Sequence, residues 1–175
     1  MAHIASLNSS VYTTLKYATY TSRPTTADGW LDLADSDGVA VGNVREFPSM
    51  GTPANIVNVP VYGQATSSQI QGQADSPSLE FTLNYVPTDH GALEALRKAG
   101  TKLVWQVRLA GSETDSYAAD PDADEYDDVY FIASIASFEI TPSLTDAMQA
   151  TMTLAIDGEF EGPFSSVSGT YGLPA

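Results

Sequence analysis

Apolar and polar residues alternate with a two-residue period over several separate stretches of the chain. Leu79, Phe81, Leu83 and Tyr85 alternate with Glu80, Thr82 and Asn84, as a strand with one buried face requires. Leu103, Trp105, Val107 and Leu109 alternate with Val104, Gln106 and Arg108, and Met148, Ala150, Met152, Leu154 and Ile156 with Gln149, Thr151, Thr153 and Ala155. In VYFIASIASFEI, Val129, Phe131, Ala133 and Ile135 set one phase, whereas Phe138 and Ile140 sit in the other. A bulge between Ser134 and Ser137 reconciles them, because one extra residue switches the face a strand presents. GVAVGNVREF (38–47) and NIVNVPVYG (55–63) predict two more strands, with Pro60 placing the second on an edge.

One segment breaks this period. TDHGALEALRKAG predicts a single short helix over about 88–99. Thr88 or Asp89 can cap its start after Pro87, and Gly100 stops it. Asp89 lies at the positive end of the helix dipole, with Arg97 and Lys98 at the negative end. Glu94 and Lys98 have the favourable i, i+4 order. Leu93 and Leu96, with Ala92 and Ala99, form an apolar stripe narrow enough to pack on one sheet. The expected fold class is therefore mainly β, an antiparallel sandwich or barrel with one helix, long loops and arms. The length of 175 residues suggests one domain: an N-terminal arm over 1–30, a β core over 31–160 and a tail over 161–175. GQATSSQIQGQADSP (63–77) is expected to be a polar loop.

Composition changes the picture mainly through charge. Twenty-two acidic residues against seven basic ones give −15, which disfavours holding nucleic acid by phosphate neutralisation. GSETDSYAADPDADEYDD (111–128) carries eight of the acids and no base. Asp120, Asp122, Asp124 and Asp128 superficially match the alternating ligands of a calcium loop. The turn glycine is missing, Pro121 intrudes and no helix flanks the segment, so a solvated acidic hairpin tip is the simpler reading. With no cysteine and only His3 and His90, a thiolate or imidazole metal site is not expected. Absent cysteine fits synthesis in a reducing compartment. The first twenty residues do not read as a signal peptide, and VYFIASIA (129–136) is too short to span a bilayer, so a soluble protein is expected.

Catalytic signatures are missing too. There is no G-x-S-x-G elbow, no phosphate loop and no G-x-G-x-x-G, and His90 at the helix start reads as an ordinary, partly exposed side chain. No enzyme activity, cofactor or metal is expected. Paired carboxylates for sugar hydrolysis stay open as a weak alternative, as does a calcium- or carbohydrate-binding β module.

The order of elements then matters. A Gly- and Gln-rich loop, YGQATSSQIQGQADSPS, leads into LEFTLNYVP, the helix TDHGALEALRKAG and the strand TKLVWQVRLA. A variable loop follows, and then the pair YFIASIASFEI and AMQATMTLAIDGEF. Over residues 38 to 160 this resembles the major tail tube proteins of long non-contractile-tailed bacteriophages, without an added immunoglobulin-like domain. The resemblance implies a structural protein of the virion tail, made in the bacterial host cytoplasm. It would form homohexameric rings stacked into a tube that conducts double-stranded DNA. It also implies partners: further copies of itself, a tape measure protein, a tail terminator and tail-tip or baseplate proteins, with DNA passing through unheld and no membrane involved. Residues 1–30, 43–78 and the tail from Glu161 are the candidate bridges between rings. Glu80, Asn84, Gln106, Gln149, Thr151 and Thr153 are candidate lumen positions, a solvated outer face being the alternative, and Leu93 and Leu96 would pack the helix on the sheet. Another virion component, such as a terminator, distal-tail or capsid-decoration protein, is the competing expectation.

Overall fold

The computed structural model describes residues 12–36, 38–51, 54–60, 62–63, 66, 68–74, 77–110 and 126–165. Ten strands and two helices follow in the order β1 (Thr14–Thr19), α1 (Ala27–Ser36), β2 (Val39–Val41), β3 (Val44–Glu46), β4 (Ala54–Val59), β5 (Ser68–Ala74), β6 (Ser78–Asn84), α2 (Pro87–Ala99), β7 (Lys102–Ala110), β8 (Tyr126–Thr141), β9 (Gln149–Ile156) and β10 (Glu161–Ser165). Seven strands lie in the order β2-β1-β7-β8-β9-β6-β3, with β10 added to β8, and form an antiparallel half-barrel sheet. Strands β4 and β5 pair only with each other, as a separate two-stranded sheet.

The alternation read from the sequence decides which side chains enter the main core. Leu79, Phe81 and Leu83 of β6 meet Leu103, Trp105 and Val107 of β7, Phe131, Ala133 and Ile135 of β8, and Ala150, Met152 and Leu154 of β9. Each such side chain fully removed from water contributes about 1.5–3 kcal/mol. Helix α2 lays the buried Leu93 on this face, with Leu96 packed at its margin. The bulge falls within the expected interval. Ile135 opposes Leu154 and Ser137 opposes Thr153, so Ala136 is the extra residue, and Phe138 returns to the core side.

A second core was not anticipated. Helix α1 covers the opposite face of the sheet with Trp30, Leu31 and Ala34, against Val104, Tyr130, Ile132 and Phe164. These three residues have helical spacing, and the Thr26 hydroxyl caps the helix by accepting the Gly29 N–H at 3.2 Å, which ties down one of the orphan donors of the first turn. Strand β7 is consequently buried on both faces from Leu103 to Arg108. Sequence alternation treats the second face of such a strand as solvated, and here it is not.

Three further expectations change. The expected arm over 1–30 contains β1, which sits between β2 and β7 in the main sheet. The segment 63–77, read as a loop because of its Ser and Gln content, contributes β5, which pairs with β4. The single strand expected over 38–47 is divided into β2 and β3 at Gly42 and Asn43, with Asn43 in the left-handed region at φ 58°. Strands β2 and β3 are the two ends of the seven-strand path, so these two residues join opposite edges of the sheet at one corner. Helix α2 starts at Pro87 with no side-chain cap and ends at Gly100, whose φ of 62° suits glycine.

Candidate functional site

The face opposite α2 has two halves. Toward α1 it is buried, with apolar side chains around an enclosed polar network; beyond the β8 bulge no described helix covers it and it is polar. Three cross-strand rows run over that bare half. Ser137 of β8 faces Thr153 of β9, which faces Glu80 of β6. Glu139 faces Thr151, which faces Thr82, which faces Glu46 of β3. Thr141 faces Gln149, which faces Asn84. Every position in the rows is polar, three are carboxylates and none is Lys or Arg. The Ser137 hydroxyl donates to Thr153 Oγ1 at 3.0 Å, the kind of hydroxyl pair that stabilises neighbouring strands.

Five of the six lumen candidates, Glu80, Asn84, Gln149, Thr151 and Thr153, thus share one face. Gln106 does not join them. It is 1% exposed, enclosed beneath α1 within a polar network buried in the second core. Its Nε2 donates to Asp128 Oδ2 at 2.9 Å and lies 2.9 Å from the Tyr130 hydroxyl. Arg108 grips the same carboxylate through Nε and Nη2, both at 2.9 Å, while the Tyr130 hydroxyl donates to it at 3.2 Å. The guanidinium lies 4.0 Å above the Tyr126 ring, a cation–π contact. Burial by itself lowers the Arg108 pKa, but the hydrogen bonds and charge of Asp128 outweigh it and leave the group raised and firmly cationic.

His90 also departs from expectation. Rather than partly exposed, it is fully buried. Its Nδ1 accepts the Val86 N–H at 3.0 Å, which identifies Nε2 as the protonated nitrogen, and Nε2–H donates to the Gly42 carbonyl at 2.9 Å. One imidazole therefore ties the residue that precedes α2 to the corner where the sheet edges are joined. Glycine at 42 and histidine at 90 are 48 positions apart, so nothing local in the sequence announces the contact. On the exposed side of α2, Glu94 binds Arg97 at 2.8 Å and Lys98 at 3.5 Å. The Arg97 hydrogen bond, followed by the charges of both cations, lowers the Glu94 carboxyl to about 2.

Chemically, the bare face presents hydroxyls, amides and carboxylates with no nucleophile–base pair. Among the described residues no group of three or more His, Cys, Asp or Glu is placed to hold a metal ion. Most of the acidic 111–128 segment, including Asp120, Asp122 and Asp124, lies outside the described residues. No helix among them is long and apolar enough to cross a membrane.

No family model matches the chain, and no curated protein matches it. Solved structures do. The SPP1 tail tube is similar at a TM-score of 0.48 and 16% identity, over 86% of this chain and 76% of that one. A chain of the six-fold symmetrised baseplate of the anti-feeding prophage is similar at a TM-score of 0.55 and 9% identity, over 93% of this chain and 98% of that one. Matched almost end to end with that baseplate chain, this chain, a half-barrel sheet with two short helices, shares its fold.

Proposed function

We propose that this chain is a structural subunit of a phage tail, forming homohexameric rings that stack into a tube through which double-stranded DNA passes. The observation that carries this reading is the likeness to a chain of a six-fold symmetrised baseplate, extending over nearly the whole of both chains. Charge is consistent with it. Duplex DNA carries about one negative charge per 1.7 Å, and a basic wall would retain it by counterion release. A wall made of the rows from Ser137, Glu139 and Thr141 across to Glu80, Glu46 and Asn84 would repel phosphate and let the duplex slide. In this proposal Glu80, Asn84, Gln149, Thr151 and Thr153 line the lumen, while Gln106 serves the subunit interior. The partners are further copies of the chain, a tape measure protein, a terminator and tail-tip or baseplate proteins, with no enzymatic step.

Negative-stain microscopy and light scattering over a concentration series test the assembly. Long hollow tubes are expected, alone or after addition of a tail-tip complex. Protein that stays monomeric under both conditions would overturn the proposal. The lumen assignment has its own test: tubes of E80K/E139K should retain duplex DNA at low salt where wild-type tubes do not. Equal retention would remove the rows from the lumen.

A second reading has its own support, because the chain matched nearly end to end comes from a baseplate rather than a tube. A distal-tail or baseplate ring would use the same fold and stop at one closed ring. Single rings at every concentration would favour it.

A further inference from the structure

His90 has no part in the polar rows, yet it is fully buried and bonded at both ring nitrogens. Nδ1 accepts the Val86 N–H at 3.0 Å, and Nε2–H donates to the Gly42 carbonyl at 2.9 Å. The neutral ring with its proton on Nε2 makes both bonds; an imidazolium, with two donors and no acceptor, cannot. Each bond ends on backbone that holds an element in place. Val86 immediately precedes α2, and Gly42 stands between β2 and β3, the two ends of the sheet path. Imidazole is also the side chain whose ordinary charge change falls between about pH 5 and 8.

The groups around the ring belong to four pieces of chain. Tyr85, which joins β6 to α2, places its ring centroid 5.9 Å from the imidazole, and Phe138 of β8 lies 6.2 Å beyond it. The β2–β3 corner contributes Gly42 and Asn43, neither of which titrates. From α2 itself comes the Asp89 carboxylate, with Oδ2 3.9 Å from where a side chain at Gly42 would begin. Asp89 is exposed, and its Oδ1 already accepts the Thr88 hydroxyl at 2.9 Å. One helical turn further on, Glu94 is engaged by Arg97 and Lys98. A proton added to Nδ1 would set two N–H donors 3.0 Å apart, and an enclosed charge or unmatched donor is costly. Once the ring has left its seat, water satisfies both donors.

We propose that His90 is an acid-released latch: a proton taken up at Nδ1 breaks the bond to Val86, expels the ring and frees β2, β3 and the first turn of α2 together. Pairing among β6, β7, β8 and β9 persists. The opened chain takes up this proton around the ordinary imidazole value of about 6.5, whereas the closed corner has no room for it at Nδ1. Opening therefore binds a proton. The corner is held fully above that value and loosens as pH falls below it, by at most about tenfold in the opening constant per pH unit. A lone chain carries the whole latch, so its action is independent of assembly.

Hydrogen exchange of the full chain at about pH 7.5 and about pH 5.5, corrected for the intrinsic effect of pH, tests the latch. Peptides covering 39–46 and 86–92 are expected to lose protection by about tenfold or more in the acid sample, within the roughly hundredfold that one proton allows over two units. Peptides from β7 and β9 should keep theirs. H90Q retains an acceptor and a donor without titrating in this range, so its 39–46 protection should be equal at both pH values. D89N should open in acid as the wild type does. A second measurement leaves the core untouched. In H3A, His90 is the only histidine, and nitrogen-15 spectra should show the ring proton on Nε2 alone at about pH 7.5. The imidazolium should appear only as protection of 39–46 is lost. Unchanged wild-type protection, the same acid opening in H90Q, its disappearance in D89N, or an imidazolium in a chain whose 39–46 amides stay protected would each overturn the latch.

Discussion

Asp128 is the residue whose loss should be most damaging for its size. Its side chain and that of Arg108 are both 0% exposed, and the carboxylate also receives hydrogen bonds from Gln106 and Tyr130. Substitution by Asn keeps the volume but removes the charge that faces the buried Arg108 guanidinium. Removing one partner of a buried pair typically costs about 3–5 kcal/mol. Against a whole-domain stability of about 5–15 kcal/mol, that is at least about a fifth of the total. For a chain of this size, with about 2–4 °C lost per kcal/mol, the melting midpoint should fall by roughly 6–20 °C. R108M should cost a comparable amount by removing the buried cation that faces the carboxylate. R108M/D128L together should cost less than the two single losses summed, because the apolar pair carries no charge to desolvate, although Gln106 and Tyr130 lose an acceptor. Urea denaturation of wild type, R108M, D128L and R108M/D128L closes a double-mutant cycle, with an expected coupling of at least about 2 kcal/mol. If D128N, D128L and R108M each cost under about 1 kcal/mol and the effects of R108M and D128L add, the network is not the electrostatic unit argued for.

Other perturbations test separate parts of the fold. H90F leaves the part-buried Gly42 carbonyl and Val86 N–H without their ring partner, and should cost about 1–3 kcal/mol in urea denaturation; a loss under about 0.5 kcal/mol would mean that water or the backbone replaces the ring. Deleting Ala136 removes the extra residue and leaves Ile135, Phe138 and Ile140 in one unbroken alternation opposite Leu154, Met152 and Ala150, so the domain should lose less than about 1 kcal/mol in urea denaturation. A loss above about 2 kcal/mol, the size expected when a register slip turns core side chains outward, would refute the bulge. Glu94 is held below its ordinary 4.5, at about 2, so the stabilisation it supplies is present above pH 4.5 and is lost as pH falls through 2. E94Q should therefore flatten the pH dependence of the melting midpoint within that window and leave its slope elsewhere unchanged.

Much of this architecture was legible because local patterning and tertiary burial agree along β6, β9 and α2. The bulge was legible for the same reason: Phe138 and Ile140 are out of phase with Ile135, and only an inserted residue lets both sets reach one core. Legibility failed where a second layer intervened. Gln106 alternates with Trp105 and Val107 as a solvated residue would, and only the presence of α1 turns that side of β7 inward. A signal for α1 existed, in Thr26 as cap and Trp30, Leu31 and Ala34 at helical spacing, but it lay within a segment whose Ser, Thr and Tyr content suggested an arm. Strand β5 was hidden for a different reason. SQIQGQA has little apolar periodicity, and its pairing comes from the opposing β4 and not from burial. The site was half legible: alternation selects the polar positions of a strand, but it does not say which polar faces a helix will cover.

The junction at Gly42 and Asn43 has a dynamic consequence. A sheet ordinarily frays from its outermost strands inward, each edge independently of the other. Here the two outermost strands are one continuous piece of chain, and His90 fastens its midpoint to α2. Pulling β2 from β1 tugs directly on β3, and releasing either must first extract the imidazole from its buried seat. Amide protons of Val39–Val41 and Val44–Glu46 should then exchange with solvent as one cooperative unit, together with those of the first turn of α2. A chain clasped in this way does not unzip strand by strand; its two sheet edges open together or stay shut.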